Sequence, residues 1–268
     1  MYGGVCDLTS IMDIAKRNGL LVMEDCAQCF LGRDDLGRLS GSVGDAGTWS
    51  FENSKQLTCG DGGIAVAHDE ELATKIRKAG GLGFKTLTAA AGRVRVDRDK
   101  FQDPGWERFD SIGYNFRMNQ LAAAVALAQA ERVEELVGLR RAMGEGYRAV
   151  LAKSSLLRSQ VEPDGYKYTY YTFSAKYRGD EHGVSWKDLR AKHMEHGGDG
   201  IFAAAKLLYQ EPAFRDAGIG RGRAPVAEDL QTRLMNFTTN QANAEEREIQ
   251  MTALTKALEY YGDEVGTW

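Results

Sequence analysis

One block in the first quarter of the chain limits its fold most. Residues 43–52 contain a strand candidate that includes Ser50, and Gly63-Ile64-Ala65-Val66-Ala67 is a further one; Lys55 and the turn Gly60-Asp61-Gly62 stand between them. Upstream, the apolar strand at residues 20–24, Leu-Leu-Val-Met-Glu, runs straight into Asp25-Cys26-Ala27-Gln28. A carboxylate at one strand end, a hydroxyl and an amine after another, and a glycine turn form a set that can hold a cationic heteroaromatic cofactor. Pyridoxal phosphate needs an amine for a Schiff base, an acid beside its ring nitrogen, and donors for its phosphate. Lys55, Asp25 and Ser50 can supply one each.

The rest of the chain reads as an α/β protein. Leu8–Asn18 has helical spacing and is closed by Gly19, and His68-Asp69 opens a helix that stops at Gly80-Gly81. Strands that alternate with helices indicate an α/β domain. Residues 85–112, charged and interrupted by Pro104-Gly105, read as a long loop. A helical run then begins at Met118, with Leu121, Val125 and Ala128 at steps of three and four, and continues towards Leu151; Gly144 and Gly146 are its weak points. Residues 166–177 have β-type composition. Ser185 with Asp188 caps a further helix, residues 218–223 form a glycine-rich mobile loop by composition, and Ala244–Tyr260 is a final amphipathic helix. The expected domains are residues 1–152 and 153–268.

Composition removes several function classes. The 268 residues are 43% apolar and 27% charged, the balance of a globular protein, and the net charge of -4 offers nothing to nucleic acid or an anionic membrane. No apolar run approaches the roughly 20 residues of a membrane helix. Residues 1–7 have neither the basic nor the apolar stretch of a signal peptide, and Cys6, Cys26, Cys29 and Cys59 do not make a disulfide framework, so a reducing cytoplasm is expected. No cysteine or histidine group has metal spacing. His193 and His196 lack a third ligand and read as part of a solvated face. Arg93, Arg95, Arg98 and Lys100 form a basic cluster in the long loop. A solvated loop is the plain reading there, and contact with the diphosphate of a nucleotide-sugar the sharper one.

The motifs together resemble the DegT/DnrJ/EryC1/StrS family of sugar aminotransferases, which are fold-type I enzymes dependent on pyridoxal phosphate. Met23-Glu24-Asp25-Cys26-Ala27-Gln28 is similar to the family's Glu-Asp-x-x-Gln. Ser50-Phe51-Glu52-Asn53-Ser54-Lys55 with Gly60-Asp61-Gly62-Gly63 is similar to Ser-Phe-x-x-x-Lys and Gly-Glu-Gly-Gly. Gly113-Tyr114-Asn115-Phe116-Arg117-Met118 and Pro225-Val226-Ala227-Glu228 follow in the family's order. Any one motif is weak; several in register are strong. The resemblance implies a partial large domain of the fold-type I transferase followed by a small C-terminal α/β domain.

It also implies roles. Lys55 forms the Schiff base and later moves the proton, Asp25 pairs with the ring nitrogen, Gln28 bonds the ring hydroxyl, Ser50 binds the phosphate, and Asn115 reaches the phosphate in the other subunit of a homodimer. The implied reaction is amination of a keto-sugar, nucleotide-linked, with glutamate or glutamine as donor, in surface polysaccharide or antibiotic sugar biosynthesis. A dehydratase variant of the family replaces the lysine with histidine, and Lys55 argues against it. Two departures stand out. Many members have histidine where this chain has Glu52, which as the i+2 neighbour of Ser50 on a strand is expected to line the substrate side. The family's phosphate turn and ring-stacking aromatic lie upstream of anything matching Met1-Tyr2-Gly3. The alternative expectation is therefore a non-catalytic fragment, or a partner subunit of a split enzyme that needs an upstream N-terminal segment.

Overall fold

Asp7 starts the first helix because its carboxylate accepts from the Ser10 amide at 3.0 Å, and Gly19 stops it in the left-handed conformation, φ 62°. A computed structural model describes residues 1–90, 92, 96–220 and 224–268. Arg93, Arg95 and residues 221–223 lie outside the described residues.

Two compact units divide the chain. The first is Val5–Val133 with Gly165–Lys167. It carries α1 (Leu8–Asn18), β1 (Met23–Asp25), β2 (Ala46–Ser50), β3 (Gly63–Ala67), α2 (Glu70–Gly80), α3 (Arg98–Gln102) and α4 (Gln120–Ala130). The second is Met1–Gly4, Glu134–Asp164 and Tyr168–Trp268. Its elements are α5 (Val133–Val150), β4 (Leu157–Ser159), β5 (Phe173–Tyr177), α6 (Trp186–Glu195), β6 (Phe202–Ala203), α7 (Pro212–Asp216), α8 (Pro225–Gln231), β7 (Leu234–Phe237) and α9 (Ala244–Tyr260). The division thus puts α5 with the later unit, whereas composition suggested a change near Lys153.

In the first unit the sheet order is β1-β2-β3. β1 and β2 run parallel, with Asp25 opposite Thr48, and β2 and β3 run antiparallel, with Ser50 opposite Gly63. Geometry trims the expected strands. Residues 20–22 precede β1, and residues 43–45 and 51–52 fall outside β2. The long loop is not wholly irregular, because Asp97 caps the short helix α3 by accepting from Asp99 N at 2.9 Å. Much apolar surface of this unit faces solvent: Leu21 is 77% exposed, Met23 70% and Ile64 48%.

The second unit holds the main core. β4-β5-β7-β6 form a four-stranded antiparallel sheet. The Tyr147 ring lies 5.2 Å from Phe173 and 5.0 Å from Phe237, with Leu189, Met251 and Leu254 fully buried around them. Each such side chain contributes roughly 1.5–3 kcal/mol on burial. The expected single helix from Met118 to Leu151 is two helices, broken at Glu131-Arg132 rather than at its glycines. Gly144 stays helical because its missing side chain admits the Tyr170 ring; a Cβ there would stand 2.3 Å from Tyr170 Cγ. The β-type run at residues 166–177 is strand only over Phe173–Tyr177. The solvated face expected at His193 is also corrected: this imidazole sits on the inner side of α6, edge-on to Phe237 at 6.0 Å and 1% exposed, while His196 is half-buried.

Candidate active site

The adjacent acids of β1 have opposite surroundings because strand side chains alternate. Glu24 points inward, where its carboxylate accepts from Gly41 N at 2.6 Å and from Val43 N and Gly44 N at 2.7 Å each. These bonds pin the loop before β2 against the sheet so closely that a Cβ on Gly47 would stand 2.0 Å from Gly41 O. Asp25 points outward and is exposed at the carboxyl end of β1. Its Oδ1 accepts from Ala27 N at 3.0 Å. The chain then turns, with Cys29 N donating to Cys26 O at 2.9 Å, and Gln28 is half-buried in that turn.

Because β1 and β2 are parallel neighbours, Ser50 ends β2 on the same side of the sheet as Asp25 ends β1. Ser50 Oγ accepts from Glu52 N at 3.2 Å, which occupies a lone pair and leaves the hydroxyl proton to donate. Lys55 follows in a tight turn, its N–H on Glu52 O at 3.0 Å. Phe51 N donates to Gly62 O at 2.9 Å and Cys59 N to Phe51 O at 3.0 Å, so the glycine turn folds back over this end and β3 starts there. Asp25, Gln28, Ser50, Lys55 and Gly62 thus belong to one end of the sheet.

Glu52 has a different setting from the one its spacing suggested. β2 ends at Ser50, so strand alternation does not extend to Glu52. Its Oε2 accepts from Ser54 N at 3.0 Å and Ser54 Oγ at 2.6 Å. The Ser54 hydroxyl, then the Ser54 amide, hold its pKa below the usual carboxylate value, and the charge of Lys55 adds to this.

Asn115 belongs to a separate segment that pairs with the end of α2. Tyr114 N donates to Ala79 O and Phe116 N to Gly80 O, at 2.6 and 2.8 Å. The Asn115 side chain accepts from Arg117 Nε at 3.0 Å and is exposed. Met118 links the segment to the glycine turn, since a Cβ on Gly62 would stand 2.7 Å from Met118 Cε. Gln56 carries a signal the motifs do not contain: it is buried, and its Oε1 accepts from Phe30 N at 2.9 Å, tying the lysine turn to the chain after Gln28.

This donor set fits pyridoxal phosphate by its chemistry: an exposed carboxylate for a pyridinium nitrogen, an amine for an aldehyde, and a hydroxyl free to donate to a phosphate. Burial, with Cys29 and Glu24 nearby, pushes the Cys26 thiol up to about 12. Among the described residues no group of three or more His, Cys, Asp or Glu could hold a metal ion.

The family model of the DegT/DnrJ/EryC1/StrS aminotransferases matches residues 1–253. This chain belongs to that family. Among its DegT/DnrJ/EryC1/StrS relatives, GDP-perosamine synthase of Caulobacter vibrioides is 36% identical over 156 residues, 57% of this chain and 36% of the relative. GDP-perosamine synthase of Escherichia coli O157:H7 is 28% identical over 98% of this chain and 64% of its own length. In three dimensions the aminotransferase from Psychrobacter cryohalolentis superposes with a TM-score of 0.81 at 25% identity, over 97% of this chain and 67% of that one. The chain therefore spans between about a third and two thirds of the curated relatives it matches. The fold class is that of the DegT/DnrJ/EryC1/StrS aminotransferases, mixed α/β with two sheets.

Proposed function

We propose that this chain carries the lysine-bearing part of a pyridoxal-phosphate-dependent aminotransferase acting on a nucleotide-linked keto-sugar, with glutamate or glutamine as amino donor, in the biosynthesis of a surface polysaccharide or an antibiotic sugar. The observation that carries this reading is the convergence of Asp25, Ser50 and Lys55 on one end of two parallel strands in a chain of this family. The relatives named for GDP-perosamine support the nucleotide-linked class.

The cofactor, when bound, supplies an aldehyde for amines and an electron sink for the carbanion left by proton removal. Asp25 is exposed towards that end and would pair with the ring nitrogen, keeping the ring cationic through a charge-assisted hydrogen bond. Gln28, in the turn after it, would bond the ring hydroxyl. Ser50 would donate its hydroxyl hydrogen bond to the phosphate. Lys55 Nζ would hold the cofactor and would serve as the base that moves a proton at that site. Glu52, bonded to Ser54, fixes the backbone that presents Lys55 and faces the substrate side only from that turn.

The chain works as a homodimer with shared sites, Asn115 reaching the phosphate bound by the other copy. The exposure of Ile112, Tyr114 and Phe116 around it supports an interface there. A cytoplasmic setting is consistent with the absence, among the described residues, of any helix long and apolar enough to cross a membrane.

The test is Asp25→Asn. A hydrogen bond to a charged group contributes roughly 1.5–3 kcal/mol, so turnover should fall about ten- to a hundredfold with the fold intact by circular dichroism. Turnover within a few-fold of the parent would remove Asp25 from the ring nitrogen.

A further inference from the structure

Residues 114–117 put their side chains on two faces by turns, as extended backbone requires. Hydrogen bonds to the end of α2 hold that backbone. Tyr114 N donates to Ala79 O at 2.6 Å, Leu82 N to Tyr114 O at 2.9 Å and Phe116 N to Gly80 O at 2.8 Å, and Asn115 bridges to Gly81. On one face the Tyr114 and Phe116 rings stack, with centroids 5.4 Å apart and planes at 14°. On the other face Arg117 Nε donates to Asn115 Oδ1 at 3.0 Å.

That bond decides which end of the Asn115 amide is left over. A guanidinium has donors only, so the amide atom that meets it must be the oxygen. The two hydrogens on Nδ2 then point away from Arg117. Without such a partner the last torsion of an asparagine is broad, and either end of the amide can face a ligand. An oxygen turned towards a phosphate repels it. We propose that Arg117 is a positioning residue, whose Nε–H holds the Asn115 amide with Nδ2 outward, so that Asn115 donates to a phosphate monoester. The inference rests on the reading that Asn115 serves the phosphate bound by the other copy, and adds the residue that sets the sign of that contact. None of the backbone bonds that hold the segment uses the Arg117 side chain, so its loss leaves the segment in place.

The experiment uses the full 268-residue chain. The readout is the fraction of Lys55 carrying a borohydride-reduced adduct, found by peptide mapping over a range of pyridoxal phosphate and, separately, of pyridoxal, which lacks the phosphate. The parent should need less of the phosphorylated compound. Arg117→Met keeps the stem and loses the donor. It should raise the pyridoxal phosphate concentration for half-modification about fivefold and leave that for pyridoxal unchanged. Arg117→Gln puts an amide N–H where Nε stood and should stay within about twofold of the parent. Asn115→Asp still accepts from Arg117 but cannot donate, and should cost about tenfold or more. If Asn115→Asp shows its loss and Arg117→Met shows none, the inference alone is overturned. It also falls if Arg117→Gln is as weak as Arg117→Met, since the charge and not the Nε–H would then matter, or if Arg117→Met weakens pyridoxal equally, since Arg117 would then serve only the fold. No effect of Asn115→Asp, or a parent without preference for the phosphate, would overturn both the inference and the reading of Asn115 beneath it.

Discussion

Glu24 and Asp25 are neighbours, and the alternation of strand side chains separates their work. The Glu-Asp pair was legible in the sequence as a motif, and Asp25's place at a strand end follows from the apolar run before it. Glu24's work was not legible, because its three partners lie on a loop that only the fold brings to it. Truncating it leaves two buried amides, Gly41 N and Gly44 N, and the half-buried Val43 N without their acceptor. Since an unsatisfied buried donor costs about 1–3 kcal/mol, Glu24→Ala should lose about 3–5 kcal/mol of stability in urea unfolding, more than Asp25→Asn. A loss below 1 kcal/mol would mean that water replaces the carboxylate and that the loop does not depend on it. Two-residue alternation does not reach Glu52, because β2 stops at Ser50.

Among the elements, those with a capping signal were readable. Asp69 and Ser185 each accept from an amide three residues on, as their sequences suggested, and Asp7 does the same for α1. β4, β6 and β7 were not, since strands of two to four residues are too short to show a period. The segment at residues 113–117 is extended and paired with the end of α2, which sets Asn115 outward on a firm backbone. If Asn115 serves the other copy, an Asn115→Ala chain mixed with a Lys55→Ala chain should recover activity, up to about a quarter of sites being intact under random assortment of dimers. No recovery in a mixed dimer verified by mass would count against the role in trans.

At the scale of the whole molecule, the two units differ in how much core each has. The sequence showed α/β alternation and put the candidate site residues in what is the first unit, but not that α5 packs with the second, because one helical composition runs through both sides of the break. The second unit buries a histidine whose protonation is coupled to its folding. Burial holds the His193 imidazole down at about 4 from an ordinary 6.5, with Asp199 opposing and His196 adding slightly. Between those values the unfolded chain binds more protons, so stability present above pH 6.5 is lost as pH falls towards 4. The loss is at most about 3 kcal/mol at roughly 1.36 kcal/mol per unit. His193→Leu should flatten that part of the stability profile, and an unchanged acid slope in the variant would assign the loss to other groups.

We propose that one end of the β1–β2 pair holds pyridoxal phosphate on Lys55. Borohydride reduction of the chain with pyridoxal phosphate, followed by peptide mapping, locates the lysine that carries the cofactor. A single dominant adduct on Lys55 is the predicted result. An adduct on Lys75 or Lys85, or one spread evenly over exposed lysines, would contradict it.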